Sequence, residues 1–138
     1  MKNIIRNLKS QFLKYNIDGY IIPKNDEFFS EYSNKDRLKK ISNFSGSSGY
    51  GVILKNKNYL FVDSRYTIQA QIESGKKFKI INYENIFNCK IFKNLVIGID
   101  PDLFTSDQIK KIFTHNKVKL IKKNLIDNII KLENKNSK

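Results

Sequence analysis

Gly51-Val52-Ile53-Leu54-Lys55-Asn56-Lys57-Asn58-Tyr59-Leu60-Phe61-Val62 sets two β-rich apolar runs on either side of a polar connection. That spacing predicts a β-hairpin. A hairpin alone does not set the fold; the flanking residues do. Downstream, Asp63 or Ser64 can cap a helix through Tyr66, Ile68, Gln69 and Ile72, which Gly75 would end. Phe78-Lys79-Ile80-Ile81 restores strand character. Leu95-Val96-Ile97-Gly98-Ile99 is the continuous apolar run required of a strand covered on both faces, and Asp100-Pro101 stops it. Thr105 or Ser106 can cap a helix carrying Ile109, Ile112 and Phe113. A short strand, Val118–Ile121, and a last helix, Leu125–Leu132, follow.

Upstream of the hairpin, residues 3–15 place Ile4, Ile5, Leu8 and Phe12 at helical spacing, which predicts one amphipathic helix. Asp18-Gly19 turns the chain into the strand Tyr20-Ile21-Ile22, and Pro23, lacking an N–H, is expected to end its pairing. Lys24 to Gly51 is polar and turn-rich, with a helical turn expected around Lys35–Ile41. The alternation predicts an α/β fold, three-layer, with a mixed β-sheet flanked by helices. One domain is expected over 1–132, with a fraying polar tail over 133–138.

The 138 residues suit one domain, and the 40% apolar content with 17 aromatics (10 Phe, 7 Tyr) excludes disorder. Six Gly and two Pro exclude collagen-like and low-complexity classes. The formal charge of +13 points at first to nucleic acid or an anionic membrane. Yet the chain holds 23 Lys, 17 Asn and 21 Ile against three Arg and a single Ala, a bias that A/T-rich codons produce unaided. The pairs Lys39-Lys40, Lys76-Lys77, Lys110-Lys111 and Lys122-Lys123 are dispersed, and the aromatics fall within apolar runs. We therefore expect neither nucleic acid nor membrane as partner. Cys89 stands alone, the stretch Met1–Arg6 has no apolar run long enough for a signal sequence, and no apolar stretch approaches 18 residues. A cytoplasmic home is expected, with the Asn43-Phe44-Ser45 sequon unmodified.

Catalytic constellations are not found. Gly46-Ser47-Ser48-Gly49-Tyr50-Gly51 lacks the Lys and Ser/Thr that end a P-loop, and its glycines precede a strand rather than open a helix. His115 is the only His and has no ligand at metal spacing. Asp100 and Asp102 form a close acidic pair, and they flank Pro101 as turn or cap residues do. Arg65 differs: in a lysine-loaded chain, an Arg after an apolar strand suggests a use for its planar fork. The ordinary reading is a salt bridge to Asp26, Glu27, Asp36 or Asp63.

Several segments in order resemble the N-terminal domain of Xaa-Pro aminopeptidases, the aminopeptidase P branch of the creatinase/prolidase family. They are Asp18–Pro23, Asn25-Asp26 to Ser30-Glu31-Tyr32, Asp36-Arg37-Leu38, Ser42–Gly49, Phe61–Tyr66, Gln69-Ala70, Gly98–Pro101 and Asn124–Asp127. The resemblance implies a sheet flanked by helices. It also implies that the peptidase chemistry belongs to a C-terminal pita-bread domain, where two Asp, one His and two Glu hold two divalent metals, usually manganese. Those ligands are not expected in this chain, so no catalytic or metal residue is assigned and the chain alone is expected to be inactive. The family's N-terminal domain builds oligomer contacts and walls the active-site entrance. Its Asp-Gly-Arg-Tyr motif is similar to Asp63-Ser64-Arg65-Tyr66, which makes Arg65 the expected peptide-contacting residue. Ser64 stands where the family has Gly, and Phe61 where it often has Trp. The expected partners are a second copy or a separate metal-binding peptidase domain, with the peptide bound through that partner. Two alternatives are one half of a split aminopeptidase and the remnant of a truncated gene.

Overall fold

The computed structural model describes residues 4–24, 37–46, 48–87, 90–113 and 117–136. The predicted hairpin forms from β2 (Tyr50–Leu54) and β3 (Asn58–Val62), paired antiparallel with Val52 opposite Tyr59. β2 also pairs antiparallel with β1 (Gly19–Pro23). The remaining strands are β4 (Lys79–Asn82), β5 (Val96–Ile99) and β6 (Lys117–Leu120). β4 joins β3 in parallel, β5 joins β1 in parallel, and β6 joins β5 in parallel. The result is a six-stranded mixed sheet in the order β4-β3-β2-β1-β5-β6. Lys79, Lys117 and Lys119 lie on its two outer strands, where charge discourages pairing with another chain.

Strand alternation sends the side chains to two cores. Tyr20, Ile22, Ile53, Leu60 and Val62 face one, under α1 (Ile4–Ser10), α2 (Phe12–Tyr15), α3 (Arg37–Ser42), α4 (Thr67–Ser74) and α6 (Leu125–Asn136). Ile21, Val52, Phe61, Ile97 and Ile99 face the other, against α5 (Ser106–Ile112) and the 3-10 turns Tyr83–Ile86, Lys90–Phe92 and Pro101–Leu103. The three-layer α/β expectation holds, and β1 is buried at every position.

Local expectations needed several corrections. The single helix over 3–15 is two, broken at Gln11, and α2 closes in a Schellman motif around left-handed Asn16 (φ 55°). There the Ile17 N–H reaches the Phe12 carbonyl and the Asn16 N–H reaches that of Leu13. Pro23 ends β1 as expected, taking the strand's last paired position, opposite Tyr50. Gly75 ends α4 but keeps a right-handed backbone (φ −65°). The left-handed non-glycine positions among the described residues are Asn16, Asn43 and Asn94, since Asn tolerates that region through local hydrogen bonding. α6 passes Leu132 to Asn136, because no Gly or Pro stops it. The part of the Lys24–Gly51 segment over 25–36 lies outside the described residues, as do Ser47, Cys89 and His115.

Candidate functional site

The candidate site lies at one end of the sheet, where β1 and β3 finish and β2 begins. Asp63 ends β3 and caps the 3-10 turn Ser64–Tyr66, accepting the Arg65 N–H at 2.9 Å. The same Oδ1 accepts Arg65 Nε at 3.1 Å, so the expected salt bridge is made to Asp63. Ser64 sits in the right-handed turn, so the position requires no glycine. The Arg65 side chain is 74% exposed, and its guanidinium lies 5.5 Å from the centre of the Tyr66 ring. Its Nη1 and Nη2 have no partner among the described residues, so half of the fork is open to solvent. The Arg65 N–H, then its guanidinium, hold the Asp63 carboxyl below its ordinary pKa.

Behind Arg65 the turn is braced. Tyr66 packs edge-on against Phe44, with ring centroids 6.1 Å apart. The buried Lys24 ammonium lies 5.8 Å over that Phe44 ring and donates to the Phe44 carbonyl at 3.3 Å. Glu73 of α4 accepts the Ser45 N–H at 2.9 Å and the Ser45 hydroxyl at 2.7 Å, and Gln69 donates to that hydroxyl at 2.7 Å. The segment following α3 is thereby tied to α4. On α4 itself Ile68 and Ile72 are 77% and 80% exposed, at helical spacing from each other and from Arg65.

A second polar cluster escaped sequence reasoning. Arg37 is 1% exposed and grips Asp127 through Nε–Oδ1 and Nη2–Oδ2 contacts of 2.8 Å each. Asn124 caps α6 by accepting the Ile126 and Asp127 N–H groups, and its amide donates to Asp100 Oδ2 at 2.9 Å. Asp100 also caps its turn through the Asp102 N–H, and the Tyr20 hydroxyl accepts the Leu125 N–H at 3.3 Å. Asp100 and Asp102 therefore serve as cap and turn rather than as a catalytic pair. Among the described residues no three His, Cys, Asp or Glu are grouped to hold a metal ion, and no helix is long and apolar enough to cross a membrane.

Burial raises the Asp100 carboxyl above its ordinary pKa, against the Asn124 and Asp102 donors. Glu73 is lowered, chiefly by the Ser45 N–H and hydroxyl. The two shifts have opposite linkage. The Asp100 contribution to stability is complete below its unfolded value near ~3.9 and is lost as pH rises through the folded value. That of Glu73 is present above about 4.3 and is lost as pH falls through its folded value. In a carboxyl-carbon NMR titration, Asp100 is expected to inflect above its ordinary value and Glu73 below; the reverse order would contradict the geometry.

A family model described as the creatinase/prolidase N-terminal domain matches residues 5–127. The chain belongs to that family. It is 30% identical over 135 residues to a probable Xaa-Pro aminopeptidase P of Coprinopsis cinerea, covering 87% of this chain and 22% of that protein. It is 28% identical to aminopeptidase P1 of Lotus japonicus, covering 94% of this chain and 22% of the relative. The X-prolyl aminopeptidase of Caenorhabditis elegans, described as a cytosolic enzyme with a di-nuclear active site, superposes with a TM-score of 0.77 at 26% identity. That match covers 91% of this chain and 24% of the nematode chain. The N-terminal domain of cytoplasmic peptidase PepQ from Mycobacterium tuberculosis H37Rv shares the fold at TM-score 0.69 and 16% identity, over 94% of this chain and 99% of that one. The chain thus corresponds to an N-terminal domain of Xaa-Pro aminopeptidase-like proteins and spans about a fifth of the curated relatives' length.

Proposed function

We propose that this creatinase/prolidase N-terminal domain is the non-catalytic, peptide-binding part of a cytoplasmic Xaa-Pro aminopeptidase and is inactive alone. Two divalent metals, expected to be manganese, and their ligands belong to another domain, either further along a longer polypeptide or on a separate chain. The observation that carries the reading is the half-open fork of Arg65. Asp63 fixes one side of the guanidinium while the terminal nitrogens face solvent. A planar two-pronged donor held this way suits a peptide carbonyl or carboxylate. The exposed Ile68 and Ile72 beside it form the apolar surface that the metal domain, or a second copy, would cover.

The test reconstitutes the chain with its metal domain and follows cleavage of a Xaa-Pro peptide with Mn²⁺. Arg65→Ala is expected to lower kcat/KM about tenfold or more, mostly through KM, with Arg65→Lys recovering only part. Unchanged kinetics in Arg65→Ala would remove the role. Cleavage by the purified chain alone, surviving separation from host peptidases, would overturn the inactivity.

A further inference from the structure

At the far end of α4 from Arg65, the β2–β3 turn and the α4–β4 connection border a shallow, wide-open cleft of about 370 Å³. Lys57, Lys76, Lys77 and Lys79 line it together with Asn56 and Asn58. We infer that this cleft binds a compact phosphate polyanion, a function separate from the peptide contact at Arg65.

The charge there is uncompensated. None of the four ammonium groups has a hydrogen-bond or ion-pair partner among the described residues, whereas Lys55 pairs with Asp18 and Lys111 with Asp107. Residues 37–62 and 74–83 contain neither Asp nor Glu, and the flanking Glu73 is engaged by Ser45 and Gln69. Like charges brought to one cleft repel, and a bound anion converts that repulsion to attraction.

The walls are held. Asn58 Nδ2 donates to the Lys77 carbonyl at 3.2 Å, joining the start of β3 to the connection opposite. The Lys57 carbonyl accepts the Leu54 N–H at 2.9 Å, so the Lys57 and Lys77 carbonyls are both engaged, while the buried Asn58 Oδ1 is left without a donor among the described residues. Phe78, buried between Lys77 and Lys79, anchors the connection, and its N–H reaches the Ser74 carbonyl at 3.0 Å.

The donors identify the ligand class. Lysines are point charges without the fork that matches a planar carboxylate, and several around one cavity suit tetrahedral phosphate groups. Phe78, the only aromatic in the lining, is 3% exposed, so no ring is offered for a base to stack on. A small polyphosphate therefore fits better than a nucleic acid.

The test is calorimetric titration of the full chain with inorganic triphosphate in about 150 mM salt, with amide chemical shifts followed in parallel. One site is expected, with shifts centred on Asn56–Asn58 and Gly75–Lys79. Lys76→Gln/Lys77→Gln should weaken binding about tenfold or more. Lys122→Gln/Lys123→Gln removes the same charge from another exposed pair and should leave binding within about twofold. Equal loss in both variants, absence of binding, or shifts spread over the lysine surface would overturn the site. Tighter binding of a short single-stranded RNA than of triphosphate would overturn the ligand class.

Discussion

Asp127→Ala is expected to remove roughly 3–5 kcal/mol of folding free energy, a large part of a stability that is about 5–15 kcal/mol for an ordinary domain. The loss comes from Arg37. With Asp127 present, two parallel contacts of 2.8 Å engage Nε and Nη2 of a guanidinium that is 1% exposed; without it, the charge stays buried and loses its bidentate partner. Asp127 is itself 47% exposed, so solvent screening places the effect toward the lower end of that range. α3 has only six residues, too few to be helical unaided, so the grip on α6 also fixes where α3 begins, at Arg37. From its other end the chain leads through Asn43 to Phe44 and Ser45, the residues that brace Tyr66 and α4 behind Arg65. Urea denaturation near neutral pH gives the measurement. Arg37→Met/Asp127→Leu, which removes both charges and keeps the volume, should regain most of the loss. A cost below about 1 kcal/mol for Asp127→Ala would mean that Arg37 finds water and is not enclosed as described.

This pair marks the limit of what the residues reveal in order. The hairpin and the Thr105 cap of α5 were legible, because each signal and its effect lie within a few positions; Asp63 was readable as a cap, but it closes the 3-10 turn Ser64–Tyr66, and α4 begins after it at Thr67 with no side-chain cap. Thr105 even completes a capping box with Gln108. The scarcity of arginine was a sound reason to single out Arg65, but it applies more strongly to Arg37. That use stayed hidden because Asp127 lies 90 positions away and no local pattern joins them. Asn124 carried a readable signal, an Asn directly before the apolar start of α6, yet its bond to Asp100 is tertiary. At the candidate site the Asp63–Arg65 pair was among the readable options, while the Ser45–Gln69–Glu73 brace was not, since Ser45 and Glu73 are 28 positions apart. The layer over the second core was the least legible part. Its turns at Tyr83–Ile86 and Lys90–Phe92 are too short to show a period of either 3.6 or 2, yet Ile86 and Phe92 are fully buried.

Phe92→Ala measures how much that unpatterned layer carries. The side chain is 0% exposed in a three-residue turn, with its ring 6.1 Å from that of Phe113 just after α5. It belongs to the core that covers Phe61 of β3 and Ile97 and Ile99 of β5. Truncation should cost about 3–5 kcal/mol, from lost transfer free energy and an unfilled cavity, and lower Tm by roughly 10–20 °C. Phe87 is the internal control: it lies beside the neighbouring turn, is 36% exposed and meets Tyr83 edge-on. Phe87→Ala should therefore cost under about 1 kcal/mol. The Leu95 N–H bonds to the Phe92 carbonyl, a backbone contact that the substitution keeps, so the entry into β5 should survive while the packing beneath it loosens. Hydrogen exchange should then accelerate at Ile97 and Ile99 more than at Leu60 and Val62, which face the opposite core. If Phe92→Ala matches Phe87→Ala in stability and exchange, the turns are a surface covering and the sheet is supported from one side only. If the two separate as expected, the short turns act as a true third layer, and β5 with Asp100 at its end is held between two packed faces.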